Sequence, residues 1–228
     1  MSATDLLDSR ALGPTDAWGQ RFMREGTFRY AVQRAGTATM IDEYPLNVVV
    51  QGERGKKKMK QHLVMLHHDP ARGTWRPEKD TIEIRSGDLV LWACREPGTP
   101  PFEIVGEKEF LRSARMINEC GYAHAFASAG TYEWRDANGS GLGGRVVVRD
   151  PPCRSAGDLE KWRQSLAEGA LVMIDRDRAE PERLEILTGQ TVYFAIVQAS
   201  GVTVTDERLL KVGVAVDGAL ERFGSCSR

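Results

Sequence analysis

Short apolar runs separated by turn-forming residues recur along most of this 228-residue chain. The runs are rich in β-branched and aromatic side chains, and glycine, proline, asparagine or aspartate lies between them. Runs of this length and spacing are typical of strands in an antiparallel β-sandwich. The pattern predicts strands at residues 47–50, 62–66, 81–84, 89–93, 145–148, 170–174 and 191–197.

Three segments have patterns compatible with a helix, namely residues 3–12, 107–118 and 158–167. The third has the strongest signal, because Asp158 can cap the first turn and apolar residues follow at helical spacing. These apolar residues are Leu159, Trp162 and Leu166. We expect this helix to connect two sheets and to pack against one of them.

Composition and charge are those of a globular chain with a sizeable core. Hydrophobic residues make up 41% of the sequence, and 31 basic residues face 32 acidic ones, for a net charge of −1. This balance gives no general attraction to nucleic acid or to an anionic membrane. We expect no membrane span, and a cytoplasmic location for the chain as given. A periplasmic or exported location would follow if a signal peptide had been removed.

Residues 51–61, "QGERGKKKMKQ", are polar and basic. This composition predicts a solvated linker. A phosphate or nucleic-acid patch is the alternative, but no aromatic residue lies between the lysines to stack on a base.

The cysteines are widely spaced and form no C-x-x-C pair; they are Cys94, Cys120, Cys153 and Cys226. This spacing predicts free thiols in a reducing compartment rather than a disulfide framework. Cys94 and Cys120 lie among apolar neighbours, which favours buried and unreactive thiols.

Four motifs follow one another between residues 60 and 150. They are "WRPEKDTIEIRSGDLVLWAC", "TPPFEIVG", "AHAFASAGTYEW" and "GLGGRVVV". In type, order and spacing they resemble a cupredoxin domain, the small β-sandwich of plastocyanin, azurin and the multicopper oxidases. The resemblance implies one continuous Greek-key sandwich over residues 58–152.

The resemblance also implies where a copper site would lie. Type 1 copper needs two imidazoles and a thiolate, usually with a weak axial thioether. Aligned on the family's motif, Phe102 takes the place of the first histidine and Asp136 that of the cysteine. Gly139 takes the place of the second histidine, and Leu142 that of the methionine. None of these residues can supply the expected donor, so the resemblance implies a degenerate, copper-free site.

Two further segments resemble parts of a second cupredoxin-like domain. Residues 20–50 are similar to its closing half, and residues 169–205 are similar to its opening half. Each half alone would expose unpaired strand edges and a bare apolar face. We therefore predict a circularly permuted sandwich composed of residues 15–52 and 166–216, with residues 153–167 as the connecting helix. The same exchange between two chains would give a swapped dimer. The predicted fold class is all-β, with two cupredoxin-like Greek-key β-sandwiches.

The histidines form the candidate metal site. They are His62, His67, His68 and His124. Imidazole nitrogens bind zinc or copper. Neighbouring residues on a strand point to opposite faces, so His67 and His68 could share one metal only at a bulge. Surface histidines at a strand end are the alternative interpretation of His67 and His68, and a packing histidine inside the core is the alternative for His124.

These features favour a copper-free structural or interaction protein, an accessory subunit of a larger complex, with no cofactor. The alternative is a metal-binding electron-transfer protein or copper carrier that uses the four histidines, with copper as cofactor. A hydrolase built around Asp136 has no supporting nucleophile, and we assign no catalytic residue. We expect a protein partner or a homo-oligomer, and no nucleic acid.

Overall fold

The computed structural model describes residues 5–37, 43–53 and 58–211. Strands make up most of this part of the chain. They are β1 (Asp16–Arg21), β2 (Gly26–Arg34), β3 (Leu46–Glu53), β4 (Gln61–Asp69), β5 (Thr74–Pro77), β6 (Thr81–Ser86), β7 (Leu89–Ala93), β8 (Phe102–Gly106), β9 (Met116–Ala125), β10 (Gly130–Asp136), β11 (Gly143–Arg149), β12 (Ala170–Asp175), β13 (Arg178–Glu180), β14 (Arg183–Leu187), β15 (Thr191–Val202) and β16 (Val204–Asp206). Each run predicted as a strand lies within one of them, so the all-β prediction is confirmed.

The helix predicted at residues 158–167 is present as α1 (Ala156–Glu168). Its N-cap is Ser155 rather than Asp158, because the Ser155 hydroxyl accepts a hydrogen bond from the Asp158 amide at 3.1 Å. Trp162 Nε1 donates to the carbonyl oxygen of Thr188 at 2.8 Å, which ties the helix to the turn between β14 and β15. Among the described residues, no helix combines the length and apolar character that crossing a membrane requires.

The other two helix predictions are wrong. Residues 107–115 form turns that lead into β9. Leu111 is buried and the Ser113 hydroxyl accepts a hydrogen bond from the Ile104 amide, so tertiary contacts fold this segment back onto β8. The described part of residues 3–12 is not helical: it forms bridges from Asp8 to β16 and from Leu12 to β8, with a turn at residues 9–10 between them. The linker predicted at residues 51–61 contains the end of β3, and residues 54–57 lie outside the described residues.

The described strands form three sheets. One has eight strands, in the order β13-β12-β15-β9-β1-β7-β4-β5. The other two have four strands each, in the orders β6-β3-β2-β8 and β14-β11-β10-β16. All three sheets are mixed rather than antiparallel, because each contains at least one parallel pair. The parallel pairs are β4–β7 and β12–β15 in the eight-stranded sheet, β3–β6 in one four-stranded sheet and β11–β14 in the other.

Both four-stranded sheets pack on the same face of the eight-stranded sheet. Tyr30 of β2 contacts Trp92 of β7, and Trp134 of β10 contacts Phe194 of β15, each with ring centroids 5.4 Å apart. Burial of these large rings forms the centre of a continuous apolar core. The result is a layered β structure in which two small sheets share one wide sheet.

The pairing scheme repeats after eight strands. In the first half (β1–β8), β1 pairs with β7, β7 with β4, and β4 with β5. In the second half (β9–β16), β9 pairs with β15, β15 with β12, and β12 with β13. The four-stranded sheets repeat in the same way. Each strand of the first half therefore has an equivalent eight strands later.

This division differs from the domain boundaries predicted from the sequence. Residues 58–152 contain β4–β11, but β4–β8 pair among themselves and with β1–β3, whereas β10 and β11 pair with β14 and β16. Of the strands in the segments 15–52 and 166–216, β1, β12, β13 and β15 belong to the eight-stranded sheet, where β9 lies between β1 and β15, whereas β2 and β3 belong to one four-stranded sheet and β14 and β16 to the other. The motifs that suggested the boundaries occur in both halves, so local pattern alone does not select the partner strands.

The two halves are joined by the antiparallel pair β1–β9. In this pair Trp18 lies opposite Tyr122, its equivalent in the other half. Trp18 stacks on Trp92 at 5.2 Å, and Tyr122 stacks on Phe194 at 5.9 Å. A local pseudo-twofold axis therefore passes between Trp18 and Tyr122 and relates the two halves of the wide sheet.

Candidate interaction surface and a buried ion cluster

The eight-stranded sheet has a second face, which points away from the two four-stranded sheets. We call it the outer face. Strand alternation and pairing place the following residues on it: Ala17, Gly19, Leu63, Met65, Leu91, Ala93, Gly121, Ala123, Leu171, Met173, Tyr193 and Ala195. Leu63 is 58% exposed, and Leu171 and Met173 are each 48% exposed. Single exposed leucines are ordinary, but a continuous apolar face on a wide sheet marks an interaction surface.

Two glycines flatten the centre of the outer face. A Cβ on Gly19 would lie 2.5 Å from Leu91 Cδ2, and a Cβ on Gly121 would lie 2.5 Å from Tyr193 Cζ. These distances show that Leu91 and Tyr193 lie across the neighbouring strands rather than standing upright. The centre is therefore a smooth layer of small residues and lying side chains, with Leu63 and Leu171 towards its two sides.

Charged groups at the margin of the outer face have partners. Arg21 Nε lies 3.4 Å from Glu119 Oε2 at the end of the β1–β9 pair. His67 Nδ1 lies 2.9 Å from Glu96 Oε1 at the end of β4. The His68 amide, and then the His67 ring, lower the pKa of Glu96. An apolar centre with a polar rim is the usual anatomy of a protein interface.

A cluster of buried polar groups lies on the opposite, inward side of the β1–β9 pair. His124 of β9 pairs with Asp16 of β1, and its Nδ1 lies 2.7 Å from Asp16 Oδ1. The Tyr122 hydroxyl donates to the same oxygen at 2.6 Å. Asp5 lies on the other side of the imidazole, 3.8 Å from His124 Nε2. This cluster ties the N-terminal segment to both halves of the sheet.

Asp5 also closes the loop after β9. Its Oδ2 accepts hydrogen bonds from the amides of Ala127 and Ser128, each at 2.9 Å. The Tyr132 hydroxyl lies 3.3 Å from the same oxygen. Asp5 is thus held by backbone donors as well as by the histidine, as a buried carboxylate requires.

The electrostatics of the cluster favour a charged histidine. Burial would lower the pKa of His124, but the hydrogen bond to Asp16 and the attraction of the Asp16 and Asp5 carboxylates outweigh burial and raise it to about 9. Burial would raise the pKa of Asp5, but His124 and the loop amides lower it overall. Burial, followed by the Asp16 charge, raises the pKa of Tyr122 well above its ordinary value. These groups are enclosed, so the cluster stabilises the junction rather than presenting a reactive group to solvent.

The structure does not bring the four predicted histidines together. His62, His67 and His68 lie on β4, and His124 lies on β9, with β7 and β1 between them. His62 Nε2 is 3.0 Å from Asp88 Oδ2. The His68 ring packs 4.7 Å from the Trp75 ring. In the described part of the chain, no group of three or more histidine, cysteine, aspartate or glutamate side chains is placed to hold a metal ion.

The four residues predicted at the degenerate copper site also lie in two different halves of the structure. Phe102 belongs to β8 in the first half, where its ring lies 6.0 Å from Trp75. Asp136, Gly139 and Leu142 belong to the β10–β11 hairpin of the second half. These positions form no single corner, because β8 pairs with β2 and not with β10.

Asp136 has a structural role in that hairpin. Its Oδ1 accepts a hydrogen bond from the Asn138 amide at 3.1 Å and from the Thr203 amide at 2.8 Å. Gly139 has φ of +80°, which favours glycine, and Leu142 is buried. The Asp-x-Asn-Gly sequence therefore closes a hairpin, as its turn chemistry predicts.

The cysteines described by the structure agree with the sequence. Cys94 and Cys120 are buried and Cys153 is exposed, all as free thiols, and Cys226 lies outside the described residues. Burial raises the pKa of the Cys120 thiol to about 12, which keeps it protonated and unreactive.

Sequence reasoning missed both the outer face and the ion cluster. A signal for the outer face exists: residues 63–66 and 171–174 are continuous apolar runs rather than alternating ones, which indicates strands that are apolar on both faces. The ion cluster has no comparable signal, because Asp5, Asp16 and His124 are brought together only by the β1–β9 pairing.

Comparisons of this chain with protein-family models, with curated proteins and with solved structures find no match. The resemblance to cupredoxins therefore stays a prediction from sequence motifs. The features that can support a function are those of the chain itself, and the outer face is the most extensive of them.

Proposed function

We propose that this chain is a structural or interaction protein, an accessory subunit of a larger complex, that binds a protein partner through the outer face. The observation that carries the proposal is the exposure of Leu63, Leu171 and Met173 on one continuous sheet face. Removing apolar surface from water is favourable by about 25 cal/mol per Å². A partner that covers this face would gain that free energy.

The architecture behind the outer face supports the same function. Both four-stranded sheets pack against the inward side of the wide sheet, and the ion cluster around His124 fixes the junction of its halves. A surface that is already ordered loses little conformational entropy when it binds. The outer face is therefore a preorganised platform that spans both halves of the molecule.

The proposal includes a cupredoxin-like scaffold without type 1 copper, because the residues aligned with the family's ligands supply neither imidazole nor thiolate; they are Phe102, Asp136, Gly139 and Leu142. The metal-binding alternative gains no support among the described residues, because β7 and β1 separate His124 from the three histidines of β4. The exposed apolar side chains of the outer face, by contrast, are explained by a binding function.

Capture of the chain from its native host under mild conditions, with cross-linking before purification, tests the proposal. Leu63→Glu and Leu171→Glu each place a charge on the outer face without removing a core side chain. We expect both variants to lose the bound protein. Leu6→Glu is the matched control, since Leu6 is 44% exposed and lies on the N-terminal segment beside β16. Outer-face variants that retain every partner would contradict the proposal.

A further inference from the structure

The outer face is nearly symmetric about the pseudo-twofold axis between β1 and β9. Leu63 of β4 lies opposite Leu91, and Leu171 of β12 lies opposite Tyr193, at equivalent pairing positions. Met173 occupies the position on β12 that Met65 occupies on β4. Two leucine–methionine ridges therefore flank the smooth centre, each separated from the junction by one strand.

The size of this face fits association between two copies. The six strands that carry the apolar residues of the outer face, spaced about 4.8 Å apart and about 17–20 Å long, give a surface of roughly 500 Å². Two such faces together would bury roughly 1,000 Å², about the minimum for a specific interface. The contact needs no additional segment from either chain.

The charge distribution also permits self-association. The chain has a net charge of −1, so two copies repel each other little. The Arg21–Glu119 ion pair and the His67–Glu96 hydrogen bond hold polar side chains together at the rim of the face. The apolar centre of the outer face offers no patch of charge that would attract a strongly charged partner. A second outer face is apolar at its centre as well, so the two apolar surfaces can cover each other.

From these observations we infer that the protein bound at the outer face is a second copy of this chain. The inference rests on the function proposed above and names its partner. The two eight-stranded sheets pack face to face, about 10 Å apart, as paired sheets do. The contact is isologous, with its twofold axis along the strands, so that the β4 ridge of one copy lies against the β12 ridge of the other.

Sedimentation of the purified full chain over a concentration series tests the inference. We expect wild type to sediment as a species with twice the 25.3 kDa chain mass. Leu171→Glu and Leu63→Glu, placed in different halves, should each raise the dimer dissociation constant about tenfold or more, because each buries a charge where an apolar ridge of one copy contacts the other. Leu6→Glu should leave the constant unchanged. Circular dichroism establishes that each variant is folded.

The outcomes separate this inference from the proposed function. A wild-type monomer at every concentration, together with a different protein that the outer-face variants lose, would overturn the inference and keep the proposed function. A dimer that both outer-face variants leave intact would overturn the inference by placing the contact elsewhere. A monomer whose outer-face variants lose no partner would overturn both.

Discussion

The two halves of this protein share one pairing scheme but fill equivalent positions with different side chains. Tyr30 and Trp92 in the first half correspond to Trp134 and Phe194 in the second. Both pairs have centroids 5.4 Å apart and nearly perpendicular rings, at 69° and 74°. The tryptophan of each pair lies in the wide sheet in the first half (Trp92) and in the small sheet in the second half (Trp134). Packing between the layers therefore preserves combined shape rather than residue identity.

The turns that precede β7 and β15 show the same principle for polar groups. Gly87 and Gly189 have φ of +88° and +90°. Asp88 and Gln190 follow them, and each accepts a hydrogen bond from the amide three residues earlier. Asp88 also accepts one from the amide of Lys60 just before β4. A carboxylate in one half and an amide in the other close equivalent turns.

The two ends of the β1–β9 junction differ more strongly. At one end Asp16 lies opposite His124; at the equivalent place on the other end, Cys120 lies opposite Gln20. The first end holds buried charges, whereas Gln20 Nε2 donates to backbone carbonyls, including that of Asn118 at 3.0 Å. One end of the junction should therefore respond to pH.

Removing the large aromatic ring from either half should have the largest effect on stability. Trp92→Ala or Trp134→Ala empties a fully buried site and should cost about 3–5 kcal/mol. Because the wide sheet is continuous, we expect one urea transition by both fluorescence and circular dichroism. Trp162→Phe in α1 is a control that loses one hydrogen bond, worth about 1 kcal/mol. Two separate transitions would show that the halves unfold independently.

His124→Gln should also destabilise the protein strongly. It leaves Asp5 and Asp16 buried without a positive charge, at a cost of about 3 kcal/mol or more. Since the folded-state pKa of His124 is raised to about 9, its contribution is complete below about pH 6.5 and is lost as the pH rises through about 9. The wild-type free energy of unfolding, measured by urea denaturation, should therefore decline across this range.

The same pH series in two variants checks the source of that decline. In His124→Gln the free energy of unfolding should be nearly flat from pH 6.5 to 9, values set by the ordinary and the folded-state pKa of the imidazole. His67→Gln removes an exposed histidine and should retain the wild-type slope. An equal slope in all three proteins would place the pH response outside the cluster.

Adding a methyl group at the two glycines of the outer face should have a smaller, unequal effect. In Gly121→Ala the new Cβ would meet the Phe194 carbonyl oxygen at 2.6 Å, and backbone cannot move aside easily. We expect a loss of about 1–3 kcal/mol in urea denaturation. In Gly19→Ala the closest atom is the flexible end of Leu91, so the loss should be smaller. Equal losses would contradict the described side-chain arrangement.

The strands could be predicted because β-branched runs and turn residues act locally. Their partners could not. The pattern Phe-x-x-x-Gly-Thr with aromatic residues following occurs at residues 22–30 and again at 126–134. The Gly-Asp and Gly-Gln turns at residues 87–88 and 189–190 also form a pair. Two pairings of these pieces are possible, and no local preference selects between them.

The contacts within the candidate site are harder to predict than the strands, because they depend on which strands pair with each other. The sequence predicts His124 as a candidate metal ligand because imidazoles bind metals, yet its partners Asp5 and Asp16 come from a segment whose position the sequence does not reveal. The outer face could have been found from residues 63–66 and 171–174, whose apolar runs do not alternate. Its width required the order of the eight strands.

Oxidation of methionine side chains in the protein isolated in its native assembly tests the central claim, that the outer face is covered by a protein. Met173 lies on that face and is 48% exposed in the single chain, whereas Met23 lies in the turn after β1 and is 57% exposed. We expect Met173 to be oxidised several times more slowly than Met23 in the assembly, and at a similar rate after the assembly is dissociated. Equal rates in the intact assembly would contradict the claim.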